Sequence, residues 1–423
     1  TSVGSVAKLV SRNHQFIGVN KAIEHFQSTR KKAKDGIISV EDAQKLGVFW
    51  HTQGSGKSYS MVFLCQKISR VLGGGYTFLL VTDRNELDKQ IYGTFAGVGA
   101  VKDKTARATS GANLKELLKS DKRFLFSIIH KFNFEEKITD RDNIIVISDE
   151  AHRTQGGSLA MNMRKALPNA SFLGFTGTPL IDSQDELTRQ VFGEYVSIYN
   201  FRDSIEDKAT VPLYYQNRIP ELQLENEDFS TELETLLDNA NLDPDQEVAI
   251  SRQFNRQYQL ITRSERLDTI AEDVVNHFVN RGYRGKAMYV AIDKATAVKM
   301  YDLVDKHWKA KLVELQQSLS STPLLEQAPI QRIIDFMEST DRAVVVSQAQ
   351  NELADMKAAG LDITPHRQRI NKEDLDSKFK DPEDPFRLVF VCAMWLTGFD
   401  APSCSTLYLD KPMRNHTLMQ TIA

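Results

Sequence analysis

The run His51-Thr52-Gln53-Gly54-Ser55-Gly56-Lys57-Ser58 lies between a short apolar segment, Gly47–Trp50, and a stretch of helical spacing, Lys57–Val71. A glycine-rich turn joining a buried strand to a helix leaves main-chain N–H groups aimed at its own centre. The helix adds the positive end of its dipole, so the arrangement suits a phosphate. In that setting Lys57 reaches the β- and γ-phosphates and the Ser58 hydroxyl ligates Mg²⁺. The bland alternative is a glycine loop that caps a helix and binds nothing. His51 stands where such loops usually carry their first glycine.

Other short β-branched or aromatic runs repeat around it: Tyr76–Val81, Phe124–Ile129, Asn143–Ser148 and Phe172–Phe175, with helical stretches such as Glu86–Phe95 between them. Strand and helix in alternation specify a parallel sheet covered by helices on both faces. The same texture returns at Gly285–Ile292, Ala343–Ser347, Arg387–Trp395 and Thr406–Leu409. Between the two blocks, Glu221–Gln246 is acidic, Ala249–Val279 reads as long helices, and His307–Met337 reads as one further helical stretch. Residues 1–45 read as a lead-in helix, marked by Ala22, Ile23 and Phe26, and a connector in which Arg30–Lys34 forms a solvated basic turn. The 423 residues thus divide into the lead-in, one α/β lobe over 46–205 and a second over 206–423 with helical insertions.

Composition narrows the partners. Net charge is −3, so a nucleic-acid footprint has to be local. Three cysteines without a CxxC pair argue against a disulfide framework and a structural zinc site, which fits a reducing cytoplasm. No apolar run has the length a bilayer needs, and Thr1 opens no leader-like segment, so neither membrane nor export is expected.

The second chemical signal is the apolar run Asn143–Ser148 ending in Asp149-Glu150-Ala151-His152. Carboxylates at the carboxyl edge of a parallel sheet sit where open α/β folds bind ligands. There Asp149 holds Mg²⁺ and Glu150 orients and deprotonates an attacking water. The third is Gly174-Phe175-Thr176-Gly177-Thr178-Pro179, a turn whose Thr176 and Thr178 hydroxyls can relay nucleotide state, or else simply a turn with a proline stop.

Residues 51–58, 149–152 and 175–179 resemble, in order and spacing, the nucleotide motifs of superfamily-two helicases and translocases of the DEAD/DEAH type. The surrounding words, Trp50–Ser58, Val81–Gln90, Ile129–Phe132, Val391–Pro402 and Leu407–Pro412, resemble the restriction (R) subunit of type I restriction–modification enzymes. The resemblance covers about Arg12 to Ala423. It implies two tandem RecA-like domains that clamp ATP, with Lys57, Asp149, Glu150 and His152 as the catalytic set and Ser58 and Asp149 on the metal. Thr52, Gln53, Gly54, Ser55, Gly56, Lys57 and Ser58 then line the nucleotide, joined by Gly398 and Asp400 of Thr397-Gly398-Phe399-Asp400. Arg12-Asn13-His14-Gln15 looks like the adenine-reading segment, where Gln15 either binds the base edge or is an ordinary helix-start residue. Thr82, Arg84, His130, Lys131 and Thr397 are the implied DNA contacts, and Asp293 occupies a further strand end where the family usually has a small or polar residue.

Two expected features are not in the sequence. The arginines that follow Gln420-Thr421-Ile422-Ala423 in such motors are missing, which implies weak ATP hydrolysis by this stretch alone. The family's amino-terminal nuclease is missing too; Glu135–Lys137 and Glu206–Lys208 match its Glu-x-Lys pattern but read as solvated charge. The resemblance implies an ATP- and Mg²⁺-dependent double-stranded DNA translocase working with methyltransferase and specificity subunits. The alternatives are another superfamily-two helicase or a non-catalytic ATP-gated clamp.

Overall fold

The computed structural model describes residues 8–73, 75–101, 106–149, 151, 158–177, 183–218, 258, 261–282, 285–396, 399–413, 418 and 421. The chain divides into two compact units, Thr1–Tyr214 and Tyr215–Ile422.

In the first unit, strands β1 (Lys45–His51), β2 (Thr77–Thr82), β3 (Phe124–Ile128), β4 (Ile144–Ser148), β5 (Ser171–Thr176) and β6 (Tyr195–Tyr199) form one sheet in the order β3-β2-β4-β5-β1-β6. Every pairing is parallel. Helices cover both faces, so alternate strand residues enter opposite cores. Phe49, Phe78, Leu80, Ile145 and Phe175 pack with Phe26, Leu64 and Ile68 on one side. Val48, Leu79, Val81, Val146 and Phe172 pack with Leu114, Leu118 and Met163 on the other. Burial on both faces is why β2, β4 and β5 read as continuous apolar runs rather than alternating ones. Strand β6 was absent from the expected set. It is an edge strand with exposed Ile198 and buried Ser197, so its apolar signal is broken.

The lead-in helix spans Asn13–Lys34, which corrects the expected basic turn at Arg30–Lys34. Lys31, Lys32 and Lys34 sit in its last turn, where cations complement the helix dipole. Arg30 lies 4.5 Å over the Phe26 ring and donates to the Tyr76 hydroxyl at 2.8 Å, so it is a packing residue. The chain turns two residues later, at Gly36, whose φ is 71°. This helix docks closely: a Cβ on Gly18 would lie 2.6 Å from Ser197 Oγ and 2.9 Å from Phe49.

In the second unit, β7 (Lys286–Ala291), β8 (Asp341–Val344), β9 (Phe386–Val391) and β10 (Cys404–Asp410) form a parallel sheet in the order β10-β7-β9-β8. Its core joins Tyr289, Val344 and Phe390 to Phe278, Trp308 and Phe336. The single stretch expected over His307–Met337 is two helices, Lys294–Ser321 and Gln327–Ser339, with a 3₁₀ turn at Leu324–Glu326 between them. Pro323 explains the break, because it lacks an N–H and keeps Thr322 extended. The strand expected over Arg387–Trp395 stops at Val391, and Trp395 takes a left-handed φ of 67°. Within the expected helical layer, the helices Phe201–Glu206 and Ser264–Asn280 are present, whereas 219–257 lies outside the described residues. All three cysteines are free thiols.

Candidate nucleotide site

A parallel sheet delivers every strand's carboxyl end to one edge, and the first unit's motifs all leave from that edge. β1 runs into the loop 52–56, and the helix Lys57–Val71 begins directly after it. Gly54 and Gly56 hold φ of 77° and 87°, a backbone that side-chain-bearing residues rarely adopt. Ser55 braces the turn from inside, its N–H donating to Thr52 O at 3.2 Å and its hydroxyl to the same oxygen at 2.5 Å. The first amides of the helix lack intrahelical partners by construction, and Gly54 is exposed at the mouth of the loop.

The register Phe49↔Phe175 and Trp50↔Thr176 sets the third motif against this loop. A Cβ on Gly177 would lie 2.8 Å from Lys57 Nζ and 3.6 Å from Gln53 N, so the Lys57 ammonium rests on the Thr176–Gly177 turn. Thr176 is fully buried. Asp149 N donates to Val81 O at 2.9 Å and Ala151 N to Phe175 O at 2.8 Å, so the chain after β4 crosses from β2 to β5 at the same edge. Gly174 makes that crossing possible, since a Cβ there would lie 2.9 Å from Ala151 Cβ.

His51 is fully buried, with Nε2 2.7 Å from Ser197 Oγ. Burial, then the neighbouring His14 and the Lys57 cation, push its pKa down to about 3, so it is neutral at physiological pH. Gln15 Oε1 accepts from Arg12 N at 2.8 Å and its Nε2 donates to Gly56 O at 2.9 Å. The amide expected to read adenine is therefore in contact with the loop itself.

The expected DNA contacts separate into two kinds. Arg84 is partly exposed, beside Asp83 at 3.5 Å, and His130 is exposed. Thr82 is buried with its hydroxyl on Arg84 O at 3.1 Å, and Lys131 donates to Ala108 O. Burial lowers the Lys131 pKa. Asp293 is a helix cap: its Oδ1 accepts from Thr296 N at 2.7 Å, and its Oδ2 accepts from the Tyr258 hydroxyl. Asp400 is exposed in the second unit. Glu150, His152, Thr178, Thr397 and Gly398 lie outside the described residues. The two Glu-x-Lys matches are surface charge, with Lys137 on Asp140 at 2.9 Å and Glu206 on Arg202 at 2.9 Å.

A magnesium nucleotide fits these groups. Open amides, the Lys57 ammonium and the partly exposed Ser58 surround one glycine turn, and Asp149 leaves the same sheet edge. No group of three or more His, Cys, Asp or Glu placed to hold a metal ion exists among the described residues. Mg²⁺ needs none, because it is held by one or two protein oxygens together with phosphates and water. Among the described residues no helix is long and apolar enough to cross a membrane.

Two parallel α/β units, the first with this glycine loop, define a RecA-like protein of helicase-like fold. Residues 14–247 match the SWI2/SNF2 ATPase family, and residues 283–423 match domain 3 of type I restriction enzyme subunit R. A Methanocaldococcus jannaschii protein assigned as the MjaIXP type I restriction enzyme endonuclease subunit is 36% identical over 427 residues, covering 98% of this chain and 37% of its own. The HindI type I restriction enzyme endonuclease subunit of Haemophilus influenzae is 35% identical over 454 residues, covering 100% of this chain and 38% of its own. The chain therefore belongs to the SWI2/SNF2 ATPase family and is homologous over its whole length to part of the endonuclease (R) subunits of type I restriction enzymes. It spans less than two fifths of the length of those two relatives. Its fold is similar to that of the ATP-dependent Type ISP restriction-modification enzyme LlaBIII bound to DNA, with a TM-score of 0.51 at 14% identity across 96% of this chain and 26% of that one.

Proposed function

We propose that this chain is the ATP- and Mg²⁺-dependent motor of a type I restriction R subunit and drives translocation along double-stranded DNA. The observation that carries the reading is the packing of the Lys57 ammonium on Gly177, which joins the phosphate loop to the Thr176 turn at one sheet edge. Loop amides and Lys57 bind the phosphates, and Ser58 with Asp149 holds Mg²⁺, which neutralises charge on the transferred phosphoryl group. Glu150 deprotonates the attacking water, with His152 in the same motif. Thr176 and Thr178 pass nucleotide state to the edge that carries Arg84 and His130, whose exposure suits phosphate contact. Gln15 reads adenine by exchanging its contact with Gly56 for the base edge. Gly398 and Asp400 are the second unit's candidate nucleotide residues, and Thr397 its candidate DNA contact. Target recognition and cleavage belong to methyltransferase and specificity subunits and to a nuclease region of the whole protein.

Steady-state ATP hydrolysis by the full-length subunit, with duplex and then single-stranded DNA and a Lys57→Ala control, tests the proposal. Duplex-stimulated turnover that falls at least about a hundredfold in the control is expected. Stimulation by single strands alone would point instead to a strand-separating helicase, and nucleotide binding without turnover to a clamp.

A further inference from the structure

The first turn of the helix Asn13–Lys34 grips the phosphate loop at two adjacent carbonyls. Gln15 Nε2 donates to Gly56 O at 2.9 Å, and His14 Nε2 lies 3.0 Å from Ser55 O. A carbonyl oxygen only accepts, so His14 Nε2 carries the proton. The ring itself is fixed. It stacks on Tyr199 with centroids 3.8 Å apart and planes 6° from parallel, and His51 meets it edge-on at 5.4 Å. Tyr199 is fixed in turn, its hydroxyl donating to Asp207 Oδ2 at 3.1 Å and its carbonyl accepting from Thr52 N at 2.9 Å. The close contact at Gly18 lets the helix come near enough for His14 to reach the loop.

The Ser55 carbonyl and the Gly56 N–H belong to one planar trans peptide, so they point in opposite directions. Holding the carbonyl toward the helix fixes the N–H on the opposite side. Glycine resists a peptide flip less than any other residue, and Gly56 forms the next corner of the turn, so its peptide needs an external hold. We propose that His14 is a positioning residue of the nucleotide site: its Nε2–H sets the Ser55–Gly56 peptide so that the Gly56 amide faces the nucleotide phosphates. This rests on the reading that the loop binds ATP.

Displacement of a fluorescent ATP analogue by ATP, with KM and kcat for ATP, tests the inference in the full-length subunit carrying His14→Phe or His14→Gln. The Phe variant keeps the stacking surface and loses the donor; the Gln variant keeps a donor. His14→Phe is expected to weaken ATP binding and raise KM about three- to tenfold with kcat held, and His14→Gln to recover to within about twofold of wild type. Wild-type affinity in His14→Phe overturns the inference, whether or not its melting temperature falls. An equal loss in both variants also overturns it, because a retained donor would then restore nothing. If His14→Phe does not melt cooperatively, His14→Ala carries the same expectation. A wild-type protein that binds no ATP, or binds it as well with Lys57→Ala, fails earlier and removes the ATP reading itself.

Discussion

The two sheets obey one construction rule, yet their carboxyl edges are chemical opposites. On the first, the working groups are main chain: Gly56 and Gly177 strip away side chains where Gln15 and the Lys57 ammonium come close. On the second, side chains consume one another. Asp410, at the end of β10, takes both Arg266 nitrogens and the Tyr289 hydroxyl, the latter at 2.6 Å. Asp293, two residues after β7, caps the following helix and takes the Tyr258 hydroxyl. Away from that edge, along the helix Ser264–Asn280, Arg218 spans Asp273 with bonds of 2.8 and 2.6 Å, and His277 lies 2.8 Å from the Tyr408 hydroxyl. A carboxylate that follows an apolar strand therefore means one thing beside a glycine turn and another beside an arginine. Position on the sheet edge does not assign it a role; its neighbours do.

The sharpest challenge to this contrast pairs Asp149 with Asp293. Asp149→Asn keeps shape and removes charge, and ATP turnover is expected to fall at least about a hundredfold with the melting transition retained. Turnover near the wild-type level would place Mg²⁺ on other groups.

The next effect is on stability. His51 has a folded pKa of about 3, below the ordinary 6.5, so the unfolded chain binds a proton that the folded chain refuses. Above pH 6.5 this costs nothing. Below it, stability falls by up to about 1.4 kcal/mol per pH unit until the folded group also titrates near pH 3. His14, buried in the same cluster, shifts in the same direction. Urea unfolding from pH 7 to 4.5 is expected to show a shallower decline in His51→Gln than in the wild type; parallel declines would mean that His51 is protonated when folded.

The smallest effect belongs to Asp293→Ala, where loss of a cap is expected to cost about 1–2 kcal/mol in urea unfolding and to leave duplex-stimulated ATP turnover intact. Lost turnover at unchanged stability would instead make this edge a working DNA surface.

Much of the first unit was legible because its constraints are local. A glycine turn with lysine and serine at fixed positions needs no tertiary context, and the helix Lys57–Val71 begins and ends where the spacing placed it. The doubly buried strands announced themselves as unbroken apolar runs, whereas β6 hid because its residues face different environments. Contacts made across distance were illegible. His14 lies 41 residues from Ser55, and Arg266 lies 144 from Asp410. Gly18 reads as a poor helix residue until Ser197 is placed beside it. Thr82 and Lys131 stand at strand ends as expected, but their polar atoms engage nearby carbonyls, a choice that spacing does not encode.

The helix Lys294–Ser321 has 28 residues and extends about 42 Å, roughly twice the length of the six-residue strand β7 that precedes it. Its fully buried residues run only from Lys294 to Trp308. Beyond Trp308 the helix has Gln327–Ser339 as its companion, and the turn between them exposes Leu324 and Leu325 almost completely. Opening that outer portion breaks backbone hydrogen bonds and uncovers only partly buried apolar residues, Leu312 and Leu315. Its amides therefore exchange with solvent through local fraying, while those near Met300 and Val304 wait for the whole sheet to come apart.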